Sequence, residues 1–324
     1  MKKNKAAEFL MNNGVIILMV ILIIITGYLK PNFFTKGNWM NIIGTMSYRL
    51  VIALGIAGCI ITAGCDLSAG RMIGFGACIA GVFLQKESGK MYPNFPTLNP
   101  ILAALIAMCI CGIFGTVTGF FIAYLHVPPF ISTMAMMEIV YGINSIFTNS
   151  KNVSGYIDSY LDFYRNKFLG LSYLIWIALF VALISWFIFN MTRHGKYMYA
   201  IGGNPQAAEV AGVPVNKTLV LIYMKAAMFY GLAGFMMGAK SGGVSVNTGL
   251  GYEMEAIAAC TIGGVSVSGG RGRISSAFIG VAVFEILKTA LQFLGVNAYA
   301  QFIALGVIIY IAISLDIRKY IAKK

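Results

Sequence analysis

The chain has 324 residues, of which 59% are hydrophobic and 11% charged, against the ~25% charged residues of an ordinary soluble domain. That composition excludes a soluble globular protein, and no polar stretch is long enough for a separate soluble domain beside one polytopic membrane domain over 1–324. The net charge of +13 reads as topology-setting charge at a membrane surface, which needs no nucleic-acid partner.

Apolar runs fall at 14–29, 42–63, 72–85, 100–125, 130–147, 171–189, 218–239, 254–267, 274–296 and 299–315. They predict an all-α polytopic membrane protein with roughly ten crossings. The runs 72–85 and 254–267 are short and rich in Gly, so they are expected to be tilted, broken or re-entrant. The first run follows KKNK as the core of a signal peptide would, but no small-residue cleavage site follows GYLKPNFF, and the run is read as retained. With the N-terminus inside, the cytoplasmic side receives Arg71, Arg193, Lys196, Lys217, Arg271, Arg273 and the basic residues of both termini. The outer side receives Lys30, Lys36, Lys86, Lys90, Lys151, Arg165, Lys167 and Lys240, a smaller set that agrees with the positive-inside rule.

In chain order, the first motif is GCDLSAGR at 64–71, placed by this topology at a cytoplasmic corner. It shares G-x-x-x-S-x-G-R with GVSVSGGR at 264–271, so Asp66, Ser68, Arg71, Ser268, Arg271 and Arg273 are candidate corner residues. The shared wording fits either a parallel internal duplication or a chance coincidence of inexpensive turns. Asp66 fits either a helix cap or a two-state contact with Arg271 or Arg273. Charges inside spans are costly and therefore informative. Arg49 is expected to pair with Glu138, Glu285 with Lys288 three residues on, and Lys225 to snorkel to the cytoplasmic surface. The six cysteines lie in or beside apolar runs and read as small buried hydrophobes. His126 and His194 have no partners at ligand spacing, so no metal site is expected.

The cytoplasmic loop at about 190–217 contains RHGKYMYAIGGNPQAAEVAGVPV, a polar and well-punctuated stretch. Asn204 suits an N-cap, Pro205 the first helical position, and Gly212 with Pro214 a stop. The expected product is a helix of about two turns, too short to be stable alone. Its small side, Ala207, Ala208 and Ala211, suits a groove on another protein, with Gln206 and Glu209 beside it. No G-x-x-x-x-G-K-[ST] occurs in the chain, so any ATP hydrolysis belongs to a partner and no cofactor is expected here.

TRHGKYMYAIGGNPQAAEVAGV resembles the cytoplasmic loop of the sugar permease subunits of ABC importers, the family of the ribose and galactose permeases. AGCDLSAGRMIG, VPPFISTMAMMEIVYGINSI and GYEMEAIAACTIGGVSVSGGRGR extend the resemblance over nearly the whole chain. DLSAGR with YGINSI is most similar to the galactose and methyl-galactoside branch, whereas Lys225 and the basic GGRGR depart from it. The resemblance implies a multi-pass protein of the bacterial cytoplasmic membrane that moves a monosaccharide inward. It also implies that 204–212 is the coupling helix for an ATPase subunit, which in this family often carries two fused nucleotide-binding domains. Further implied partners are a periplasmic or lipid-anchored sugar-binding protein and a second copy of the chain in a homodimer. Ser132, Thr133, Asn144, Ser145, Glu255 and Thr261, polar groups in short or Gly-rich segments, are the candidates for a sugar pathway. An ion-coupled secondary sugar carrier stays open as another class, although no Asp/Glu/His relay is evident; a membrane-embedded enzyme would need a catalytic constellation that is not found.

Overall fold

A computed structural model describes residues 17 and 19–297 and, beyond them, 299–304, 306, 307, 310 and 314. Helix α1 (Met19–Leu29) leads through a 3-10 turn, Pro31–Phe34, into α2 (Lys36–Ile61), where the Thr35 hydroxyl accepts from the Asn38 amide as an N-cap. Then come α3 (Ala69–Val82), α4 (Pro100–Tyr124) and α5 (Pro129–Thr148). Proline opens α4 and α5 at the position where a missing N–H costs nothing. After the short strand β1 (Val153–Ser154) follow α6 (Asp158–Arg165), the hairpin strands β2 (Lys167–Phe168) and β3 (Leu171–Ser172), and α7 (Tyr173–Met191). The chain continues with α8 (Arg193–Gly203), α9 (Pro205–Val210), α10 (Val215–Ser241), β4 (Gly243–Val244), α11 (Tyr252–Gly263) and α12 (Ile274–Phe293). Six of these helices, α2, α4, α5, α7, α10 and α12, are long and apolar enough to cross a membrane. The expected all-α polytopic architecture is therefore present; part of the last expected crossing, 299–315, lies outside the described residues.

The two suspect spans have a definite form. At 1.5 Å per residue, α3 and α11 are only about 21 and 18 Å long, well short of a ~30 Å hydrocarbon core. Each is reached by a non-helical stretch, 62–68 before α3 and 242–251 before α11. The stretches come from opposite faces. Ile61 at the end of α2 accepts from the Gly270 amide, on the face that carries α8, whereas β4 just after α10 pairs with β1 on the other face. They meet inside: Gly70 abuts Gly249 and Glu253, and a Cβ on Gly74 would stand 2.5 Å from the Thr248 carbonyl. A long helix, a re-entrant stretch and a half-length helix thus occur twice in opposite senses, the inverted arrangement that builds midplane sites in many transporters.

This corrects the reading of GCDLSAGR and GVSVSGGR as equivalent corners. Asp66 is 2% exposed and lies beside Tyr230 at the centre of α10. Its Oδ1 accepts from the Ser68 amide at 3.0 Å and the Ser68 hydroxyl at 2.6 Å. Ser268, Arg271 and Arg273 instead belong to the loop between α11 and α12, where Gly269 and Gly270 pack on Gly202, Gly203 and the end of α2. Short Gly/Ser/Arg wording serves a deep re-entrant turn in one place and a surface loop in the other. Arg71 likewise leaves the set of cytoplasmic cations, because it stands on the inner end of α3.

α10 is the axis of the bundle. Gly231 meets Ala107 of α4 and Gly76 of α3, Gly234 meets Ile73 and Ala77, and Gly55 of α2 meets Ala226. Where water gives no hydrophobic drive between helices, such small residues let backbones approach closely enough for dispersion to hold them. A Cβ on Gly231 would stand 2.7 Å from the Ala107 carbonyl, so the α10–α4 contact requires glycine. Outward faces of α4, α5 and α7 carry exposed Ile, Leu and Phe, as a lipid-facing or partner-facing surface must.

Candidate functional site

Three features carry chemistry, and the first is a charge cluster between α2, α11 and α12. Arg49 pairs with Glu255 through Nη1 and lies 3.0 Å from Glu285 through Nε, and Lys288 Nζ lies 2.7 Å from the other oxygen of Glu255. The guanidinium also stands 4.7 Å from the centre of the Tyr252 ring. The expected Arg49–Glu138 pair does not form: Glu138 lies on the exposed face of α5. Glu285 and Lys288 share a cluster without pairing: Lys288 pairs with Glu255, and Glu285 joins through Arg49. Spacing within one helix could not reveal that α11 supplies the bridging carboxylate.

The second feature is the meeting point of the two half-length helices. Arg71 Nη1 donates to the Val246 carbonyl at 3.2 Å and to Asn247 Oδ1 at 3.0 Å, and its guanidinium carbon is 4.0 Å from the centre of the Tyr141 ring on α5. Glu253 lies against Gly70 and is 8% exposed. Of the pathway residues expected from the sequence, Glu255 belongs to the first cluster. Ser145 lies one helical turn beyond Tyr141 on α5 and has a buried hydroxyl without a hydrogen-bond partner among the described residues. Asn144 turns instead toward Cys78 of α3. Ser132 donates to the Thr118 carbonyl, and Thr133 and Thr261 donate back to their own helices at Pro129 and Ile257. These polar groups do not converge on one cavity.

The third feature is the face that carries α8 and α9. Asn204 caps α9 by accepting from the Ala207 amide at 3.0 Å, Pro205 opens it, and Gly212 leaves with φ +80°. The lead-in Arg193–Gly203, part of an expected loop, is a helix of its own, capped by Thr192. Gly202 and the Tyr199 hydroxyl hold it to Ile61 and Gly272, so α9 rides on a platform fixed to the ends of α2 and α11–α12. The small side of α9 is divided: Ala208 is 5% exposed and faces inward, whereas Gln206, Ala207, Glu209, Ala211 and especially Val210, 91% exposed, face out. Burial and the nearby Lys225 ammonium hold His194 below its ordinary pKa. Lys225 itself does not snorkel. Its Nζ is buried without a hydrogen-bond partner among the described residues and stands 4.3 Å from the centre of the Phe189 ring, a cation–π contact in place of water.

Residues 38–312 match the family model described as the branched-chain amino acid transport system / permease component. The chain belongs to this permease family. The permease is also 40% identical to the galactose/methyl galactoside import permease protein MglC of Haemophilus influenzae over 100% of this chain and 99% of that protein. It is 39% identical to MglC of Escherichia coli K12 with the same coverage. Against the ribose import permease protein RbsC of E. coli K12 the identity is 33%, over 96% of this chain and 95% of the relative. No solved structure matches the permease. Family membership together with the six long apolar helices makes it a multi-pass inner-membrane protein and a transport component.

Proposed function

We propose that this permease is the membrane subunit of an ATP-driven importer that moves galactose or a methyl galactoside into the cytoplasm. The observation that carries the reading is the end-to-end match to import permeases of that name, at higher identity than to the ribose permease protein. The chain contains no phosphate-cradling motif, so the energy comes from a separate ATPase subunit, which in this reading docks on α9 and its platform. A sugar-binding protein delivers substrate to the opposite face, and two copies of the permease enclose one pathway between them. The permease makes and breaks no bond in the sugar. ATP binding and hydrolysis in the partner bias the pair between outward and inward access.

The test is uptake of labelled galactose, methyl β-galactoside and ribose by vesicles holding the permease, with the ATPase, the binding protein and ATP each supplied or withheld. Galactoside uptake that needs all three supports the reading. Uptake driven by an ion gradient without them would replace it with a secondary carrier, and a preference for ribose would move it within the family.

A further inference from the structure

Arg71 has three neighbours and donors to spare. Its guanidinium presents five N–H groups, of which the contacts to the Val246 carbonyl and Asn247 Oδ1 use only Nη1 among the described residues. Its plane is fixed 4.0 Å from the centre of the Tyr141 ring, so the spare donors are held in one orientation and are not on a mobile stem. Asn247 is exposed; its backbone N–H donates to the Ser245 hydroxyl, and its side-chain nitrogen takes no part in the contact to Arg71, which uses Oδ1. Beneath them Glu253 is 8% exposed, and its Oε2 is buried with no hydrogen-bond partner among the described residues. Leaving such an acceptor unmade is expensive unless something else supplies the proton.

A half-buried guanidinium, a primary amide, an aromatic ring and a carboxylate with an unpartnered oxygen, drawn from different elements, make up the polar complement that a pyranose takes. Hydroxyl groups accept from the guanidinium and amide, donate to the carboxylate, and leave C–H faces for the ring. Charge decides against an anionic ligand. Arg71 is offset by Glu253, whose carboxylate packs against Gly70, the residue just before Arg71. A phosphate or sulfate would meet the Glu253 carboxylate beside the single guanidinium.

We propose that Arg71, Tyr141, Asn247 and Glu253 form a subsite of the permease that binds a neutral sugar directly, where the two half-length helices meet. The permease then takes part in selection, as well as offering a passage for what the binding protein releases. This inference rests on the reading of the chain as a galactoside permease.

The test has two arms. In vesicles containing the permease, ATPase and binding protein, Arg71→Lys keeps the charge and loses the planar donors. Galactose uptake is expected to fall about tenfold, with a changed ratio of galactose to methyl β-galactoside, since a tenfold loss corresponds to about one good polar contact. Because that variant can fail for reasons of folding, the second arm measures contact. Asn247→Cys is made in a chain whose exposed Cys109 is replaced by Ser, and maleimide labelling of the introduced thiol is timed in the purified permease–ATPase complex. Galactose at tens of millimolar is expected to slow labelling, and sodium sulfate at the same concentration is not. Labelling indifferent to galactose, or slowed by sulfate alone, overturns the subsite. Where the parent complex transports galactose and these outcomes appear, only the subsite falls. A parent that takes up no galactose defeats the transport reading itself.

Discussion

Lys288 Nζ stands 2.7 Å from Glu255 Oε1 while Arg49 holds the other oxygen of the same carboxylate, so one side chain of α11 is clamped from both α12 and α2. A 12-residue helix that starts inside the bundle has no membrane-surface anchor at that end, and this clamp sets its position. The side chains of Arg49, Glu255 and Glu285 are 9%, 15% and 8% exposed, which places the cluster among buried ion networks.

Such networks punish the loss of one partner more than they stabilise when whole. Arg49→Met is expected to cost about 3–5 kcal/mol, because it leaves Glu255 and Glu285 facing each other with Lys288 alone to compensate. Thermal unfolding in detergent should show a clear fall in midpoint, and adding Glu285→Gln should recover part of it. A single variant that melts with the parent would show that the cluster does not hold α11.

On the face that carries α8 and α9, the expected groove contact shifts from Ala208 to Val210, since Ala208 is 5% and Val210 91% exposed. Val210→Arg is expected to weaken copurification with the ATPase by tenfold or more, about 1.4 kcal/mol, while the permease keeps its midpoint. Ala208→Arg, by contrast, forces a cation into the packing under α9 and should lower the midpoint itself. Equal association of parent and Val210→Arg would remove α9 from the docking surface.

What the sequence shows and what it hides divide along a physical line. Local chemistry is legible: Asn204, Pro205 and Gly212 mark α9 because capping, a fixed φ and a left-handed exit are single-residue properties. The brevity of 72–85 and 254–267 is legible for the same reason. The partner of Arg49 is not, because Glu255 and Glu285 are brought to it by tertiary packing over more than two hundred residues. A Gly-flanked carboxylate such as Asp66 normally lies at a surface. Only the return of 62–68 into the bundle buries it, and no local pattern encodes that return. Arg71 likewise meets Tyr141 only because α3 packs on α5, and Asn247 only because the second re-entrant stretch returns to the start of α3.

Orientation is testable with two single cysteines on opposite faces. Ser159 is exposed on α6, on the face of β1 and β4, and Gln206 is exposed on α9. Ser159→Cys is expected to react with an impermeant maleimide added to intact cells, and Gln206→Cys only after the cells are broken open. The reverse labelling pattern would invert the topology derived from Lys and Arg.

Asp66 supplies the last expectation. Its Oδ1 satisfies the Ser68 amide and hydroxyl at the start of α3, and the Tyr230 hydroxyl lies beside it, so it acts where the re-entrant stretch turns into a helix. Arg271 and Arg273 are exposed on the surface loop after α11, and neither reaches Asp66, which removes the expected pairing from this conformation. An amide oxygen accepts from the same backbone N–H, so Asp66→Asn is expected to keep the thermal midpoint within experimental scatter. Asp66→Ala leaves the Ser68 amide and hydroxyl without their acceptor in a buried place, a cost of about 1–3 kcal/mol. If the two variants melt together, holding Ser68 at the turn into α3 is not the role of Asp66. If Asp66→Asn melts like the parent yet loses the stimulation of ATP hydrolysis by sugar-loaded binding protein, the carboxylate charge itself matters in a second conformation, and the pairing with Arg271 or Arg273 returns as the contact to seek there.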